Sequence, residues 1–206
     1  MAKSSKIEHN ISLEMKEKIG KILYKCLVGY LLFCWITFAF FSLARYYEIK
    51  YAYPLKYKEM IIEYADYYGL DRALIFAVVK TESGFDENAK SKAGALGLMQ
   101  ITEKTADYIA QKLCVPNYNI MDVETNINFG CYYIKYLITR FNHLDTALIA
   151  YNAGEGNVST WLTDKRYSDD GKSLKSTPYQ ESNEYIIKIH KNFEKYKKLY
   201  KKILDK

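Results

Sequence analysis

The sequence is poor in the residues that build metal centres and disulfide frameworks. Its 206 residues include three histidines and four cysteines. His9, His143 and His190 are scattered, and no Cys/His grouping has metal-ligand spacing, so neither a metal nor a cofactor is expected. A concentrated basic stripe is missing too. The net charge of +6 is spread along the chain, which argues against nucleic acid as a partner. Runs of alternating apolar and polar residues long enough for a strand are absent, leaving room only for a short hairpin within 83–101 or 162–180. There is no internal repeat. With 49% apolar and 26% charged residues, the chain reads as globular and not disordered. Its length suits one medium domain plus an accessory segment. The fold class left by these absences is all-α.

One absence is local. Cys26 to Ala44 is nineteen residues without a charge. As a helix it spans ~29 Å at ~1.5 Å per residue, against a hydrocarbon core of ~30 Å. Tyr30 and Trp35 are interfacial aromatics, and Arg45 closes the run. Lys16, Lys18, Lys21 and Lys25 flank it on the N-terminal side, which predicts a cytoplasmic N-terminus and everything after Arg45 outside. Ser42-Leu43-Ala44 is a small-x-small tripeptide of the cleavable type, so a signal peptide competes with an anchor. Signal h-regions run ~7–15 residues, shorter than this span, which favours the anchor. Either way the remainder is extracytoplasmic. The expected organisation is a polar tail over 1–25, a single transmembrane helix over 26–44, a Tyr-rich linker over 45–56 and one helical domain over 57–206.

Cys26 and Cys34 fall in the membrane segment and read as small apolar residues. Cys114 and Cys131 fall in the exported domain, where a disulfide is chemically permitted. Pairing needs a Cα separation of ~4.4–6.8 Å, which sequence does not provide, so that question stays open.

Within the domain, a helix is predicted over 57–68, stopped by Gly69. Asp71 is a candidate N-cap for the next, whose Leu74, Ile75, Val78 and Val79 recur at a 3–4 period. Residues 83–101, with Gly84, Gly94 and Gly97, read as a structured loop. Thr102 then caps a helix through Leu113, and Asp122 opens another with Ile127, Ile134, Leu137, Ile138 and Phe141 on one face. Asp145 is expected to cap a short helix ending before Gly154, and 162–180 to be a loop. Residues 182–203 close the domain with Ile186, Ile189, Phe193, Tyr196, Tyr200 and Ile203 as an amphipathic stripe.

Glu82 stands out. It lies four residues after Val78, three after Val79 and seven after Ile75, hence on the apolar face of its helix. The helix C-terminus disfavours an anion there, and partial burial acts in the same direction, so its pKa is expected to be raised. A carboxylic acid still protonated near neutral pH suits protonation of a glycosidic leaving oxygen. The alternative is a frayed helix end with Glu82 turned to solvent.

The motifs around Glu82 decide between these. Glu82-Ser83-Gly84-Phe85, Gly94-Ala95-Leu96-Gly97-Leu98-Met99-Gln100, Asn126-Ile127-Asn128-Phe129-Gly130 with Tyr136-Leu137, Ala150-Tyr151-Asn152-Ala153-Gly154 and Glu181-Ser182-Asn183-Glu184-Tyr185-Ile186 follow one another in order. Together they resemble the soluble lytic transglycosylase catalytic domain, a relative of goose-type lysozyme, over about 57–196. The resemblance implies a lysozyme-like helical fold acting on peptidoglycan glycan strands. It implies cleavage of the β-1,4 bond between N-acetylmuramic acid and N-acetylglucosamine, leaving a 1,6-anhydromuramyl end, with Glu82 as the single catalytic acid and then base. A second carboxylate, which conventional glycosidases need, has no match in the family pattern, and Asp86 and Glu87 are expected to follow the loop away from the cleft.

By the same resemblance Ser83, Met99, Gln100, Tyr151 and Asn152 line the saccharide cleft, and Glu181 and Tyr185 approach from the final helix. Gln100 and Asn152 each offer donor and acceptor to acetamido groups. The Tyr151 hydroxyl would support Glu82 or an acetamido group. Met99 and Tyr185 could equally serve core packing, Gln100 a loop-to-helix cap, and the glycines tight turns. Two departures from the family pattern stand out: Ile101-Thr102 follows Met-Gln where Pro is common, and Glu181-Ser182 replaces Glu-Thr. A hydrolytic muramidase and a non-catalytic peptidoglycan-binding scaffold are the competing functions. The membrane, through residues 26–44, and an envelope-spanning secretion or conjugation machine are the expected partners besides peptidoglycan.

Overall fold

The computed structural model describes residues 2–205, with side chains from Met15 onward. Residues 1 and 206 and the side chains of 2–14, among them His9 and part of the tail expected over 1–25, lie outside the described residues. The chain forms two compact units, one ending at Pro54 and the other beginning at Leu55.

The first unit is a helix, α1 (Ala2–Tyr47), followed by a π-helical turn over Glu48–Ala52. No break separates tail, apolar segment and linker; the helix runs through all three and the chain becomes irregular only at Tyr53. Pro54 supplies the reason, because its ring disfavours helical geometry in the residue before it. From Met15 onward no α1 residue is buried. Phe33, Trp35, Phe38, Phe40 and Phe41 are each at least 65% exposed, so protein packing does not cover this apolar surface. Residues within Met15–Ala52 are long and apolar enough to cross a membrane, with a mean hydropathy of 2.1.

The second unit is all-α around one central helix. Its elements are α2 (Lys58–Tyr67), α3 (Arg72–Glu82), a two-stranded antiparallel ribbon of β1 (Ala95–Leu96) and β2 (Ile101–Thr102), α4 (Glu103–Leu113), α5 (Val123–Phe141), α6 (Leu144–Ala153), α7 (Glu155–Leu162) and α8 (Gln180–Leu204). The ribbon pairs Ala95 with Thr102 and Leu96 with Ile101, which makes it the short hairpin that 83–101 had room for.

Helix α3 is buried all round: every residue from Ala73 to Val79 is in the core. A helix apolar on all sides can only be central. Asp71 caps it, accepting from the Ala73 and Leu74 amides, and Gly84 at φ +61° closes it after Glu82. Helix α8 packs along α3. Phe76 of α3, Phe85 and Tyr196 of α8 form an aromatic cluster with centroids 5.3–6.5 Å apart. A second core joins α5, α6 and α7 through Leu137, Ala150, Val158 and Trp161.

Three local readings are corrected. His143, not Asp145, caps α6; Asp145 sits in its first turn, where an acidic residue suits the helix dipole. Helix α7 was not anticipated, although Val158, Trp161 and Leu162 have the 3–4 spacing that would mark it. The α8 stripe ends differently: Tyr200 leaves helical geometry (φ −123°, ψ 24°), so Leu204 turns inward and Ile203 is 41% exposed. Cys114 and Cys131 are free. Cys131 is buried within α5, where burial raises its thiol pKa, while Cys114 is exposed at the C-cap of α4.

Candidate active site

Glu82 is the last residue of α3 and half-buried. Burial pushes its carboxyl up to about 7; the Tyr185 hydrogen bond pulls the other way, and the charge of Glu181 adds to the rise. That bond is short, Tyr185 Oη donating to Glu82 Oε1 over 2.7 Å. The raised pKa thus comes first from desolvation, which disfavours the charged form.

The carboxyl opens into a cleft of about 240 Å³, lined by Tyr151 and Asn152 of α6, Glu181 of α8, and Gln100 and Thr102. Ser91, Ala93 and Ala95 complete the loop wall. A larger hollow of about 560 Å³ lies at the end of α4, but its one carboxylate, Asp107, is engaged by the Tyr118 hydroxyl at 2.6 Å. Chemistry, not size, singles out the cleft at Glu82.

Each side chain expected at the site has a definite place. Tyr185 is buried on α8, and burial keeps its phenol protonated and able to donate. Tyr151 lines the cleft, but its proton goes to the Met99 carbonyl at 2.6 Å; the donor to Glu82 is Tyr185. Met99 is fully buried, against the expectation of a cleft contact. Its side chain lies so close to Gly130 that a Cβ there would overlap the Met99 sulfur, so what Met99 offers near the site is its carbonyl. Ser83 Oγ donates to the Leu98 carbonyl (2.8 Å) and receives the Phe85 amide (3.1 Å), tying the loop to the end of α3. Gln100 sits at φ +50°, unusual for a residue with a side chain, and its Nε2 donates to the Ala89 and Gly97 carbonyls at 3.1 and 2.9 Å. Asn152 Oδ1 accepts from Ser182 Oγ at 2.8 Å. Glu181 is exposed at the start of α8 on the cleft wall. Asp86 and Glu87 stand outside the cleft lining; Glu87 accepts from Tyr57 Oη at 2.8 Å.

Two residues without an assigned role prove structural to the site. Asn126 is buried, receives the Met99 amide at 2.7 Å, and donates to the Leu96 and Ile120 carbonyls at 3.0 and 2.9 Å. It thereby clamps the Gly94–Gln100 loop onto α5. Gly97 is needed opposite it: at φ +74° a Cβ would collide with the Asn126 amide. The signal was readable, since Asn126 shares the inward face of α5 with Gly130, Ile134 and Leu137, where a polar residue needs partners. Ser182, buried on α8, carried no comparable mark.

Comparison with known proteins matches residues 59–174 to the family described as the transglycosylase SLT domain. The soluble lytic murein transglycosylase of Escherichia coli K12 is 32% identical over 143 residues, covering 66% of this chain and 22% of that protein. The membrane-bound lytic murein transglycosylase C of Edwardsiella ictaluri is 27% identical over 173 residues, covering 70% and 47%. Among solved structures, an inactive mutant of the lytic transglycosylase Slt of Pseudomonas aeruginosa superposes with a TM-score of 0.64 at 28% identity, covering 74% of this chain and 25% of that one. The 70 kDa soluble lytic transglycosylase of Escherichia coli gives 0.62 at 29%, covering 71% and 25%. The chain spans about a fifth of the length of the soluble murein transglycosylases it matches.

Proposed function

The chain belongs to the transglycosylase SLT domain family, and on that premise we propose that it is a membrane-anchored peptidoglycan lytic transglycosylase with Glu82 as its catalytic acid and base. The observation that carries this reading is a carboxyl whose burial pushes it up to about 7, opening into a cleft whose walls carry amide groups. Such an acid holds its proton at neutral pH and can release it to a leaving oxygen.

The reaction proceeds in two proton transfers. Glu82 gives its proton to the glycosidic oxygen as the C1–O bond of the N-acetylmuramic acid residue breaks, freeing the N-acetylglucosamine hydroxyl. The Glu82 carboxylate then takes the proton of the muramic C6 hydroxyl while O6 bonds to C1. The 1,6-anhydro ring closes, Glu82 is protonated again, and no water is consumed. Tyr185 supports both states: its hydrogen bond orients the carboxyl and stabilises the transient carboxylate.

A hydrolytic muramidase is favoured by one observation, the second carboxylate of Glu181 on the cleft wall, which could position a water on C1. Mass spectrometry of released muropeptides separates the two. Products ~18 Da lighter than reducing muropeptides, and absent with Glu82→Gln, are the expected result; reducing muramic ends sink the anhydro route. The apolar span of α1 anchors the enzyme with its N-terminus in the cytoplasm and the domain from Leu55 outside. An anchored enzyme cuts the wall locally, as an envelope-spanning machine would require.

A further inference from the structure

The apolar surface of α1 does not end where its uncharged span begins. Met15, Ile19, Ile22 and Cys26 recur at spacings 4, 3 and 4, and the alternation runs on unbroken through Gly29 and Phe33 to Leu43. A mean repeat of ~3.5 residues keeps these positions on one seam of a supercoiling helix. Inside the span every face is apolar and lipid covers them all, so the informative stretch is the one before it. There Lys16, Glu17, Lys18, Lys21 and Lys25 all fall off the seam. Met15, Ile19 and Ile22 are 58%, 54% and 59% exposed, so their own chain leaves them uncovered. A bilayer does not reach them either. The helix is unbroken from Ala2 to Tyr47, which sets Met15 ~16 Å beyond Cys26 at ~1.5 Å per residue.

We propose that the seam from Met15 to Leu43 pairs with the same seam of a second copy, making the anchor a parallel two-stranded coiled coil. Two copies inserted in the same sense carry identical seams at identical depth, which is what a two-fold axis along the membrane normal requires. Charge permits the pairing. Residues bordering the seam meet the second copy about five positions further on, so Lys18 and Lys25 face its Leu23 and Tyr30 and no lysines oppose one another. Gly29 supports it independently. A Cβ there would meet nothing of its own chain within 4 Å, although glycine weakens a helix interior. On the seam, three residues from the small side chain of Cys26, it lets two backbones approach closely inside the bilayer. The aqueous part of α1 gains as well, because such a helix owes its stability to packing of its apolar face. The inference rests on the membrane-anchor reading and is independent of the cleavage chemistry.

The chain carries its own probes, since Cys26 lies on the seam and Cys34 off it. The test oxidises membranes holding the full chain with copper phenanthroline, after Cys114→Ser has removed the exposed thiol of the second unit. A disulfide-linked dimer is expected on non-reducing gels. Cys26→Ser should abolish it and Cys34→Ser should leave it. Ile22→Glu, which sets a charge in the seam, should lower the dimer yield at least about tenfold, while Tyr24→Glu, off the seam at nearly the same depth, should not. If Ile22→Glu fails to accumulate, the contrast between the two cysteines still decides. No dimer, a dimer carried by Cys34 alone, or a yield unmoved by Ile22→Glu overturns the inference. So does a Cys26 adduct to a different protein, which would name another occupant of the seam. Extraction with alkaline carbonate is scored beside it. A chain released by carbonate removes the anchor reading and this inference together; a chain retained but never linked through Cys26 removes this inference alone.

Discussion

The hydroxyl of Tyr185 donates to Glu82 Oε1 over 2.7 Å, joining residues 103 positions apart in the chain. The two meet because α3 and α8 pack along each other, and about two turns further along α8 the same contact carries Asn192 Nδ2 to Thr81 Oγ1 at 2.9 Å. The acid is therefore held by the pairing of two helices, not by a loop.

Replacing Glu82 with glutamine should reduce cleavage by at least ~10³-fold, since the proton donor is gone. It should also stabilise the fold, in one pH range only. The carboxyl's folded-state pKa, about 7, lies above its unfolded value, so the folded state binds the extra proton and wild-type stability falls as pH rises through 4.5 to 7. Above pH 7 Glu82→Gln should be more stable by on the order of 1–3 kcal/mol, and below pH 4.5 no different. Urea melts at pH 4 and pH 8 check this; equal gains at both would contradict it.

The pH profile of cleavage should fall above about pH 7 as Glu82 loses its proton. Two substitutions should move that limb oppositely. Tyr185→Phe removes a bond that favours the carboxylate, so the limb should shift to higher pH while the maximal rate drops. Glu181→Gln removes a like charge, so the limb should shift to lower pH. Initial rates between pH 5 and 9 decide, and a common direction for both variants would refute the assignment.

Asn126→Ala should cost about 3 kcal/mol, because the Met99 amide and the Leu96 and Ile120 carbonyls lose their partner in the interior. Gly97→Ala should cost about 2–4 kcal/mol from its left-handed backbone and the collision with Asn126. Chemical denaturation measures both. The two should be far from additive, since each breaks the same clamp, and a double variant losing the full sum would show the clamp to be two independent features.

Cys114 should react with a maleimide in the native protein, whereas Cys131 should react only after unfolding. Peptide mapping after labelling reads this directly. Rapid native labelling of Cys131 would mean that α5 opens far more readily than its buried face allows.

Much of this molecule is written locally. The caps Asp71, Thr102 and Asp122 and the stop Gly69 act through backbone bonds within a few residues, so their helices could be located from sequence. The apolar face carrying Glu82, and the uncharged run from Cys26 to Ala44, are likewise properties of periodicity and composition. The cleft motifs were legible because they are contiguous. What sequence left open depended on distant partners. Only the packing of α8 on α3 decides that Tyr185 serves Glu82 while Tyr151 serves the Met99 carbonyl. Only the seat of Met99 beneath Gly130 makes it core instead of cleft. Which ends of the Gln100 and Asn152 amides are engaged follows from the carbonyls and hydroxyl that the fold brings to them. A side chain's chemical type is fixed by its own residue, but which of its hydrogen-bonding atoms remain available is decided by neighbours that only the tertiary structure supplies.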